Sequence, residues 1–353
     1  MSTDSVLALV RPDILALAAY SSARKEATGG RVWLDANENP ETPSVHRPLL
    51  NRYPEPQPAD LVAQLAALYG VAPAQVLVTR GSDEGIDLLL RTFCRAGRDS
   101  ILITPPTYGM YVVAAGIQGA RTLAVPLVRE KSFALDAAAV LRAVTPETKL
   151  VFLCSPNNPT GNLLARSGVL ALVQALASRA VVVVDEAYVD FSGQPSLAAE
   201  VAGNPNLVVL RTLSKAFGLA GARVGTTIAA PAVIAVLQKV IAPYPVPAPV
   251  LQAALAALTP AGLAAARESV ATLVAERARL AQALAAVPAV KRVWPSDTNY
   301  LLVEVTDSAR AMAAGRAAGV IWRDRGKDVP NCIRITVGTA EENNATLEVL
   351  SRV

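Results

Sequence analysis

Short, uninterrupted apolar runs recur along the first two thirds of the chain, and they restrict its fold more than any other feature. The run at residues 181–184 consists of four valines and contains no polar side chain. Strands that are apolar throughout are buried on both faces, as in parallel sheets covered by helices. The sequence therefore predicts an α/β fold with a largely parallel sheet, whose strands we expect near residues 76–79, 101–104, 150–154, 181–185, 207–212 and 224–228.

The pattern changes near residues 242–247, where three prolines interrupt it. A chain of 353 residues has room for two domains. We assign residues 41–259 to a large domain, and residues 260–353 together with an N-terminal arm, residues 1–40, to a small α+β domain. We expect the arm to pack with that small domain. Beyond the prolines we predict a long helix at about 261–287, strands near 299–304, 319–323 and 332–337, and helices near 307–317 and 340–351.

The composition narrows the possible functions. Hydrophobic residues make up 52% of the chain and charged residues 18%, as expected of a well-buried enzyme. The net charge of +4 comes without a basic stripe, so we expect no nucleic-acid partner. The chain has a single histidine, His46, which leaves little room for a zinc site or a Ser-His-Asp triad.

Cysteine use and hydropathy indicate the compartment. The three cysteines lie far apart within apolar runs, which is typical of buried thiols in a reducing compartment. No basic region precedes the moderately apolar N-terminus, and no uncharged run is long enough to cross a bilayer. We therefore expect a cytoplasmic protein without a membrane partner.

Residues 212–218, Thr-Leu-Ser-Lys-Ala-Phe-Gly, place one lysine directly after a predicted strand. A lysine held away from water has a lowered pKa, and its neutral amine can attack a carbonyl group. Arg223 adds a cation near the hydroxyls of Thr212 and Ser214, and the three together would suit a phosphate. An ordinary turn with a surface lysine is compatible with the same residues, so this segment alone does not decide the role of Lys215.

Two neighbouring strand ends also carry polar residues. Asp185 ends the valine run, and a buried carboxylate needs a partner such as the protonated pyridine nitrogen of pyridoxal phosphate. Tyr188 is close enough in sequence to reach a neighbouring ring hydroxyl, and the turn at residues 155–161, Ser-Pro-Asn-Asn-Pro-Thr-Gly, presents Asn158. An aspartate that caps a turn and a common Asn-Pro turn are the alternatives. Because the carboxyl ends of parallel strands share one edge of the sheet, contact with a ligand ring is favoured.

Three further features are weaker. Residues 81–84 predict a turn before a helix, and the N–H groups of Ser82 and Asp83 would suit a phosphate, although both residues are also ordinary helix caps. Tyr108 either stacks on a ligand ring or belongs to the core. Tyr53 lies in a proline-rich extended segment that is either a linker or a device for presenting the tyrosine elsewhere.

Taken in order, these motifs resemble those of the fold-type I pyridoxal 5′-phosphate (PLP)-dependent aminotransferases, and most closely the histidinol-phosphate aminotransferase family. The resemblance covers nearly the whole chain. It implies an α/β large domain with a mostly parallel seven-stranded sheet between helices, a small α+β domain, and PLP as the cofactor. The segments that carry it are residues 36–40, 52–54, 105–111, 155–161, 185–188, 210–217 and 333–339.

The resemblance also implies roles for the site residues. Lys215 forms a Schiff base with the cofactor and then acts as general base and acid, and Asp185 keeps the ring nitrogen protonated. Asn158 and Tyr188 contact the phenolic oxygen of the ring, while Tyr108 stacks on it. The phosphate is held by Ser82, Asp83, Thr212, Ser214 and Arg223, and by Tyr53 from the other subunit of a homodimer.

For substrates, the resemblance implies L-histidinol phosphate and glutamate/2-oxoglutarate, in histidine biosynthesis. Arg334 and Arg323 would bind the substrate anion, with Tyr20 and Asn37 assisting; between Arg323 and its neighbour Arg325 we expect the former. A surface ion pair is the ordinary alternative for a strand arginine such as Arg334.

Other functions remain open on the same scaffold. They are an aminotransferase of aromatic amino acids, a decarboxylase of threonine phosphate and, from a different class, a PLP-binding regulator. No DNA-binding helix-turn-helix motif precedes residue 30, which speaks against the regulator.

Overall fold

The computed structural model of the protein describes residues 3–18, 36–39, 41 and 50–353. Of the residues singled out from the sequence, Tyr20 and His46 lie outside these ranges.

Seven strands form the central sheet, in the order β1-β7-β6-β5-β4-β2-β3. All of the neighbouring pairs are parallel except the two that involve β7, which runs antiparallel to β6 and β1. The predicted α/β fold with a mostly parallel seven-stranded sheet is therefore confirmed. The strands are β1 (Val76–Arg80), β2 (Ser100–Ile103), β3 (Arg121–Ala124), β4 (Thr148–Cys154), β5 (Val181–Asp185), β6 (Leu207–Thr212) and β7 (Val224–Ile228).

Helices cover both faces of this sheet. Along β5 the valines alternate between two apolar clusters, with Val182 and Val184 in one and Val181 and Val183 in the other. Side chains of a strand point alternately to opposite faces, so the all-valine run is explained by burial on both sides. The α-helices described up to residue 257 are α1 (Thr3–Leu7), α2 (Pro12–Leu15), α3 (Ala59–Tyr69), α4 (Gly81–Phe93), α5 (Met110–Gln118), α6 (Ala137–Ala143), α7 (Arg166–Ala175), α8 (Pro231–Val240) and α9 (Ala248–Ala257).

The C-terminal part of the chain builds a second, antiparallel sheet of four strands, in the order β10-β11-β9-β8. It has its own apolar cluster, which includes Leu284, Val303 and Ile333. The domain boundary that we predict at residues 259/260 falls between α9 and the long helix α10, and it stays a prediction. The elements of this part are α10 (Pro260–Ala285), β8 (Val290–Val293), β9 (Tyr300–Val305), α11 (Ser308–Ala317), β10 (Arg323–Asp324), β11 (Cys332–Thr336) and α12 (Ala340–Leu350).

The first described segment, residues 3–18, packs on the large domain. Helices α1 and α2 both contact α8, and Val6 and Val10 are buried in the apolar cluster on that face of the central sheet. Lys239 of α8 also donates a hydrogen bond to the Leu15 carbonyl, with Nζ and O 2.7 Å apart. Our prediction that the N-terminal arm packs with the small domain is therefore wrong for this segment, because its apolar side chains complete a face of the large domain instead.

Several elements differ from the sequence-based prediction. Strands β3 and β8 and helices α6 and α9 were not predicted, and the strand expected at 319–323 is reduced to Arg323–Asp324. Strands β3 and β8 each lie at a sheet edge and are partly exposed, so neither needs a continuous apolar run. Residues 81–84, predicted as a turn, form the first turn of α4.

Within the described ranges, no single helix is long and apolar enough to cross a membrane. Helices α9 and α10 meet that length and composition only as a pair, and they are bent by 72° relative to each other.

Candidate active site

A cleft with about 530 Å³ of empty space, part of it open to solvent, lies at the carboxyl edge of the central sheet. Every residue predicted to bind the cofactor lines the cleft, with the exception of Tyr53. The lining residues are Ser82, Asp83, Tyr108, Cys154, Asn158, Asp185, Ala187, Tyr188, Thr212, Ser214, Lys215, Ala220 and Arg223.

The topology of the sheet brings these residues together. Strands β4, β5 and β6 are parallel neighbours, so their carboxyl ends deliver Asn158, Asp185 and Lys215 to one edge. Strand β7 is antiparallel to β6 and pairs Gly225 with Thr212. The start of β7 therefore lies at this same edge, which explains how Arg223 joins a site built from strand ends.

The N-terminus of α4, Arg223 and two hydroxyl groups form an anion cradle. Arg223 Nη2 lies 3.2 Å from Asp83 Oδ2, and Arg223 Nη1 lies 3.4 Å from Ser214 Oγ. Thr212 Oγ1 donates to Ser214 Oγ at 2.9 Å. Gly81 has a φ of 73°, in the left-handed region that favours glycine, and a Cβ atom there would also lie 2.6 Å from Arg223 Nη2 and displace the guanidinium. Unpaired N–H groups at a helix N-terminus beside an arginine are suited to phosphate.

Lys215 lies in the turn after β6, among groups that disfavour its positive charge. Burial lowers the pKa of its amine, and the positive charges of Arg334 and Arg223 lower it further. Its Nζ lies 5.6 Å from the centre of the Tyr188 ring. Since Nζ makes no hydrogen bond with any residue that the structure describes, the amine is available for a ligand in the cleft.

Asp185 is 3% exposed and has no cationic partner among the described residues. Burial raises the pKa of its carboxyl group to about 6, against the lowering effect of two hydrogen bonds. Tyr111 Oη donates to Oδ2 at 2.8 Å, and the Ala187 N–H donates to Oδ1, with N and O 3.2 Å apart. A buried carboxylate in this state gains from a cationic N–H group, which is what a protonated pyridine nitrogen offers.

Two residues of the small domain contact the turn at 155–161, which carries the cleft residue Asn158. Arg334 of β11 donates from Nη1 to Asn158 Oδ1 at 2.5 Å, and Tyr300 of β9 donates from its hydroxyl to the Asn157 carbonyl at 2.7 Å. The Arg334 guanidinium carbon lies 5.2 Å from the centre of the Tyr300 ring. Arg334 Nε is buried and has no hydrogen-bond partner in the described part of the chain, so the guanidinium retains a donor for an anion.

None of the predicted substrate residues that the structure describes lines the cleft itself, and of these Arg334 alone contacts a lining residue, Asn158. Arg323 pairs directly with Arg334 across β10 and β11, but its side chain is exposed. Arg325 is more buried and binds Asp328, with Nη2 and Oδ2 2.8 Å apart. Asn37 is exposed, and the predicted role of Tyr20 falls outside the described residues. The roles of Arg323, Asn37 and Tyr20 in substrate binding stay predictions.

Tyr53 also lies apart from the cleft. It is 50% exposed, stacks on Tyr244 with ring centres 4.6 Å apart, and lines a separate groove that also includes Asn37. The prediction that Tyr53 serves the other subunit is compatible with this position, and it too stays a prediction.

Sequence reasoning gave no role to three residues of the site. Tyr111 contacts Asp185, Cys154 lines the cleft, and Tyr300 binds the turn that carries Asn158. Cys154 ends a buried apolar run, and that signal was present in the sequence. The structure shows in addition that Cys154 pairs in register with Asp185. Tyr111 and Tyr300 left no comparable signal, because their contacts cross between distant segments.

The residues present fit PLP. The anion cradle suits its phosphate, Asp185 suits its ring nitrogen, and the Lys215 amine suits its aldehyde. Burial raises the pKa of Tyr188, so its hydroxyl stays protonated and can donate to the phenolic oxygen. Tyr108, whose hydroxyl is held by Asp83 at 2.9 Å, provides an aromatic wall. Within the described residues, no group of His, Cys, Asp and Glu side chains could hold a metal ion.

Comparisons with known proteins show the family. The family model for "Aminotransferase class I and II" matches residues 23–350. The histidinol-phosphate aminotransferase of Stenotrophomonas maltophilia is 51% identical, over 99% of this chain and 97% of that protein. That of Aeromonas salmonicida is 48% identical, over 98% of each.

A solved structure leads to the same family. The histidinol-phosphate aminotransferase from Sinorhizobium meliloti, crystallised in complex with pyridoxal-5′-phosphate, superimposes with a TM-score of 0.78 at 27% identity, over 85% of this chain and 82% of that one. The chain therefore belongs to the class I and II aminotransferases and, among them, to the histidinol-phosphate aminotransferase family.

Proposed function

We propose that this protein is a PLP-dependent aminotransferase that interconverts L-histidinol phosphate plus 2-oxoglutarate and imidazole-acetol phosphate plus L-glutamate, in histidine biosynthesis. One observation carries the proposal. The Lys215 amine, with its lowered pKa, shares a cleft with the Asp185 carboxylate, which has no cationic partner among the described residues, and with the anion cradle at Arg223, and Arg334 of the small domain contacts the cleft residue Asn158. The relatives named histidinol-phosphate aminotransferase, which match over nearly their full length, support the choice of substrate.

When bound, PLP supplies an aldehyde that takes up amino groups and a protonated ring that withdraws electrons from the bond being broken. Lys215 has the central role among the protein's own groups. Because the pKa of the Lys215 amine is lowered, the amine is neutral near pH 7 in a larger fraction of molecules than the amine of an exposed lysine would be. The neutral Nζ accepts the proton from the substrate carbon that bears the amino group, and afterwards returns it.

Asp185 and the anion cradle hold the two ends of the cofactor. A carboxylate that remains ionised holds the proton on a ring nitrogen, and the free energy gained is large because the site is buried. Ser214 and Arg223, which contact each other, would hold the phosphate. Anchoring at both ends restrains the cofactor beside the Lys215 amine, which is the contribution of positioning to the rate.

Arg334 serves the substrate. A guanidinium binds a phosphate or a carboxylate through two parallel hydrogen bonds, and this geometry accommodates both histidinol phosphate and glutamate. Asn158 Oδ1 already accepts from Nη1 and Nε is buried, so a two-bond contact requires the guanidinium to turn toward the anion as it binds.

A spectral half-reaction tests the choice of substrate. The PLP form of the protein is titrated separately with histidinol phosphate, phenylalanine, aspartate and threonine phosphate, and conversion to the pyridoxamine form is followed by absorbance. We expect histidinol phosphate to convert the cofactor at the lowest concentration. Conversion by phenylalanine at a lower concentration, or release of carbon dioxide from threonine phosphate, would overturn the assignment.

We further propose a cytoplasmic homodimer in which Tyr53 completes the site of the partner subunit. The half-exposed Tyr53 outside its own cleft supports the dimer, and three buried free cysteines support a reducing compartment. Mixing inactive Tyr53→Ala and Lys215→Ala subunits should restore activity, since a mixed dimer has one intact site. Failure to restore activity in mixed dimers isolated as such would contradict a role for Tyr53 across the interface.

A further inference from the structure

We propose that Tyr111 is a positioning residue, which holds the Asp185 side chain ionised and correctly oriented for the ring nitrogen of the cofactor. The proposal rests on the PLP cofactor of the proposed function, but not on the identity of the amino substrate. It assigns a chemical task to a hydroxyl group that lies behind the cleft, since Tyr111 is not among the residues that line it.

The position of Tyr111 is tightly determined. It is the second residue of α5, it is fully buried, and its ring stacks on Phe152 of β4 with centres 4.7 Å apart and planes at 15°. On another side, its ring meets that of Tyr108 edge to face at 5.6 Å. With the ring held by Phe152 and Tyr108, the hydroxyl lies 2.8 Å from Asp185 Oδ2.

This hydrogen bond restrains the carboxyl group from one side while the Ala187 N–H restrains it from the other. One donor on each oxygen defines the rotation of the carboxyl plane. A phenylalanine at position 111 would retain the stacking on Phe152, so packing alone does not account for a buried hydroxyl. A buried hydroxyl costs free energy unless it is paired, and here its partner is the residue that the cofactor needs.

The electrostatic role follows from the direction of the hydrogen bond. Burial raises the pKa of Asp185, and donation from Tyr111 opposes that rise by stabilising the ionised form. Asp83 and Glu186 are negative neighbours that act with burial, which makes the donor more important. The ionisable groups that face Asp185, besides Tyr111, are Asp83, Tyr108, Cys154, Glu186, Tyr188 and Lys215.

The test compares two aldehydes in the Tyr111→Phe variant. One is PLP, and the other is its benzaldehyde analogue, in which a C–H group replaces the ring nitrogen. Since the hydroxyl acts through Asp185 on that nitrogen, Tyr111→Phe should raise the dissociation constant for PLP roughly tenfold, and that for the analogue by less than about twofold. Binding to the cofactor-free protein is measured by fluorescence quenching.

The pH dependence of PLP binding gives a second reading. Loss of the Tyr111 donor should raise the pKa of Asp185, so the loss of PLP affinity on acidification should begin at a higher pH in Tyr111→Phe than in the wild type. Protonation of Lys215 also weakens binding at low pH, but it affects both proteins. An unchanged affinity for PLP, or an equal loss for both aldehydes, would overturn the proposal, because a packing role does not distinguish between them.

Tyr69→Phe is the matched control. Tyr69 is also buried, its hydroxyl has no hydrogen-bond partner among the described residues, and it does not line the cleft. We expect its affinity for both aldehydes to stay within about twofold of the wild type.

If the Tyr111→Phe variant does not fold, PLP affinity is compared between the Asp185→Asn variant and the Asp185→Asn, Tyr111→Phe double variant. There the added Tyr111→Phe change should leave PLP affinity unaltered, whereas a further loss would argue for packing. Binding of PLP without turnover of histidinol phosphate would refute the proposed substrate and leave this inference standing.

Discussion

The two ends of the central sheet treat a buried carboxylate in opposite ways. At the amino end, Asp99 precedes β2, is 1% exposed and accepts hydrogen bonds from the backbone N, Nε and Nη2 of Arg95 at 2.7, 2.8 and 2.9 Å. At the carboxyl end, Asp185 has only neutral donors, Tyr111 and the Ala187 N–H. Burial would raise the pKa of either group, but Arg95 holds that of Asp99 below its usual value, while that of Asp185 rises to about 6.

The contrast between Asp99 and Asp185 distinguishes charged groups that stabilise the fold from charged groups that are free to bind a ligand. Asp99 has its cationic partner within the chain, so its ionised form contributes to stability. Asp185, Lys215 and Arg334 each retain an interaction that the described residues leave unmade; the first two line the cleft, and Arg334 contacts its lining residue Asn158. Unmade interactions at one edge of a sheet are therefore a physical marker of the site, independent of any resemblance.

The largest effect is expected for Lys215→Ala. Removing the amine should lower turnover by about 10⁴-fold or more, because both the bond to the cofactor and the proton transfer are lost. The visible absorbance of the lysine-bound cofactor should vanish, while the free energy of unfolding of the cofactor-free protein should not fall.

The control for this variant is a lysine at the opposite end of the sheet. Among the described residues, Lys149 of β4 donates a hydrogen bond only to the Pro146 carbonyl, at 2.9 Å. Lys149→Ala should retain full turnover. Appreciable turnover in Lys215→Ala would contradict the assignment of the catalytic amine to the carboxyl end of the sheet.

Arg334→Ala should follow. Loss of a bidentate anion contact should raise KM for histidinol phosphate roughly 100-fold. Arg334→Lys should recover only part of this, since an ammonium group lacks the planar fork. Arg310 of α11 is exposed on the same domain, and Arg310→Ala should leave steady-state kinetics unchanged. Equal effects of the two alanine variants would indicate a general charge effect and not a site.

Asp99→Asn tests the amino end, where we expect a loss of stability without a loss of turnover. Hydrogen bonds to a charged group are replaced by weaker ones, which should lower the free energy of unfolding by roughly 2 kcal/mol in urea titrations at pH 7. Since the folded-state pKa of Asp99 is lowered, the deficit should disappear as the pH falls through that pKa. Asp87→Asn, in the more exposed pair with Arg91, should cost less than about 1 kcal/mol.

Asp185→Asn should change stability in the opposite direction. The folded-state pKa of about 6 lies above the ordinary value of 3.8, so the folded protein binds the proton more tightly and loses stability as the pH rises from about 4 to about 6. Removing the carboxylate should stabilise the cofactor-free protein by about 1–2 kcal/mol at pH 7, while turnover falls. A variant less stable than the wild type at pH 7 would show that Asp185 is satisfied within the chain.

Much of the large domain followed from local pattern. The runs at residues 181–185, 207–212 and 224–228 were predicted with the bounds that β5, β6 and β7 have, because strands buried on both faces are predominantly apolar. Edge strands β3 and β8 escaped prediction, since a half-exposed strand has no such constraint. The arm at residues 3–18 was misplaced, because an apolar stripe records that a segment is buried but not against which partner.

The sequence by itself determined which residues end the buried strands, and hence that Asp185, Asn158 and Lys215 would share an edge of the sheet. Parallel strands place their carboxyl ends together whatever the details of packing. Only the tertiary structure decided which neighbours complete them. It placed Tyr111 against Asp185 across 74 residues and Arg334 against Asn158 across 176 residues. Hydrogen bonds need partners within a few tenths of an ångström, and that precision comes from helices and domains packing together, which no local pattern encodes.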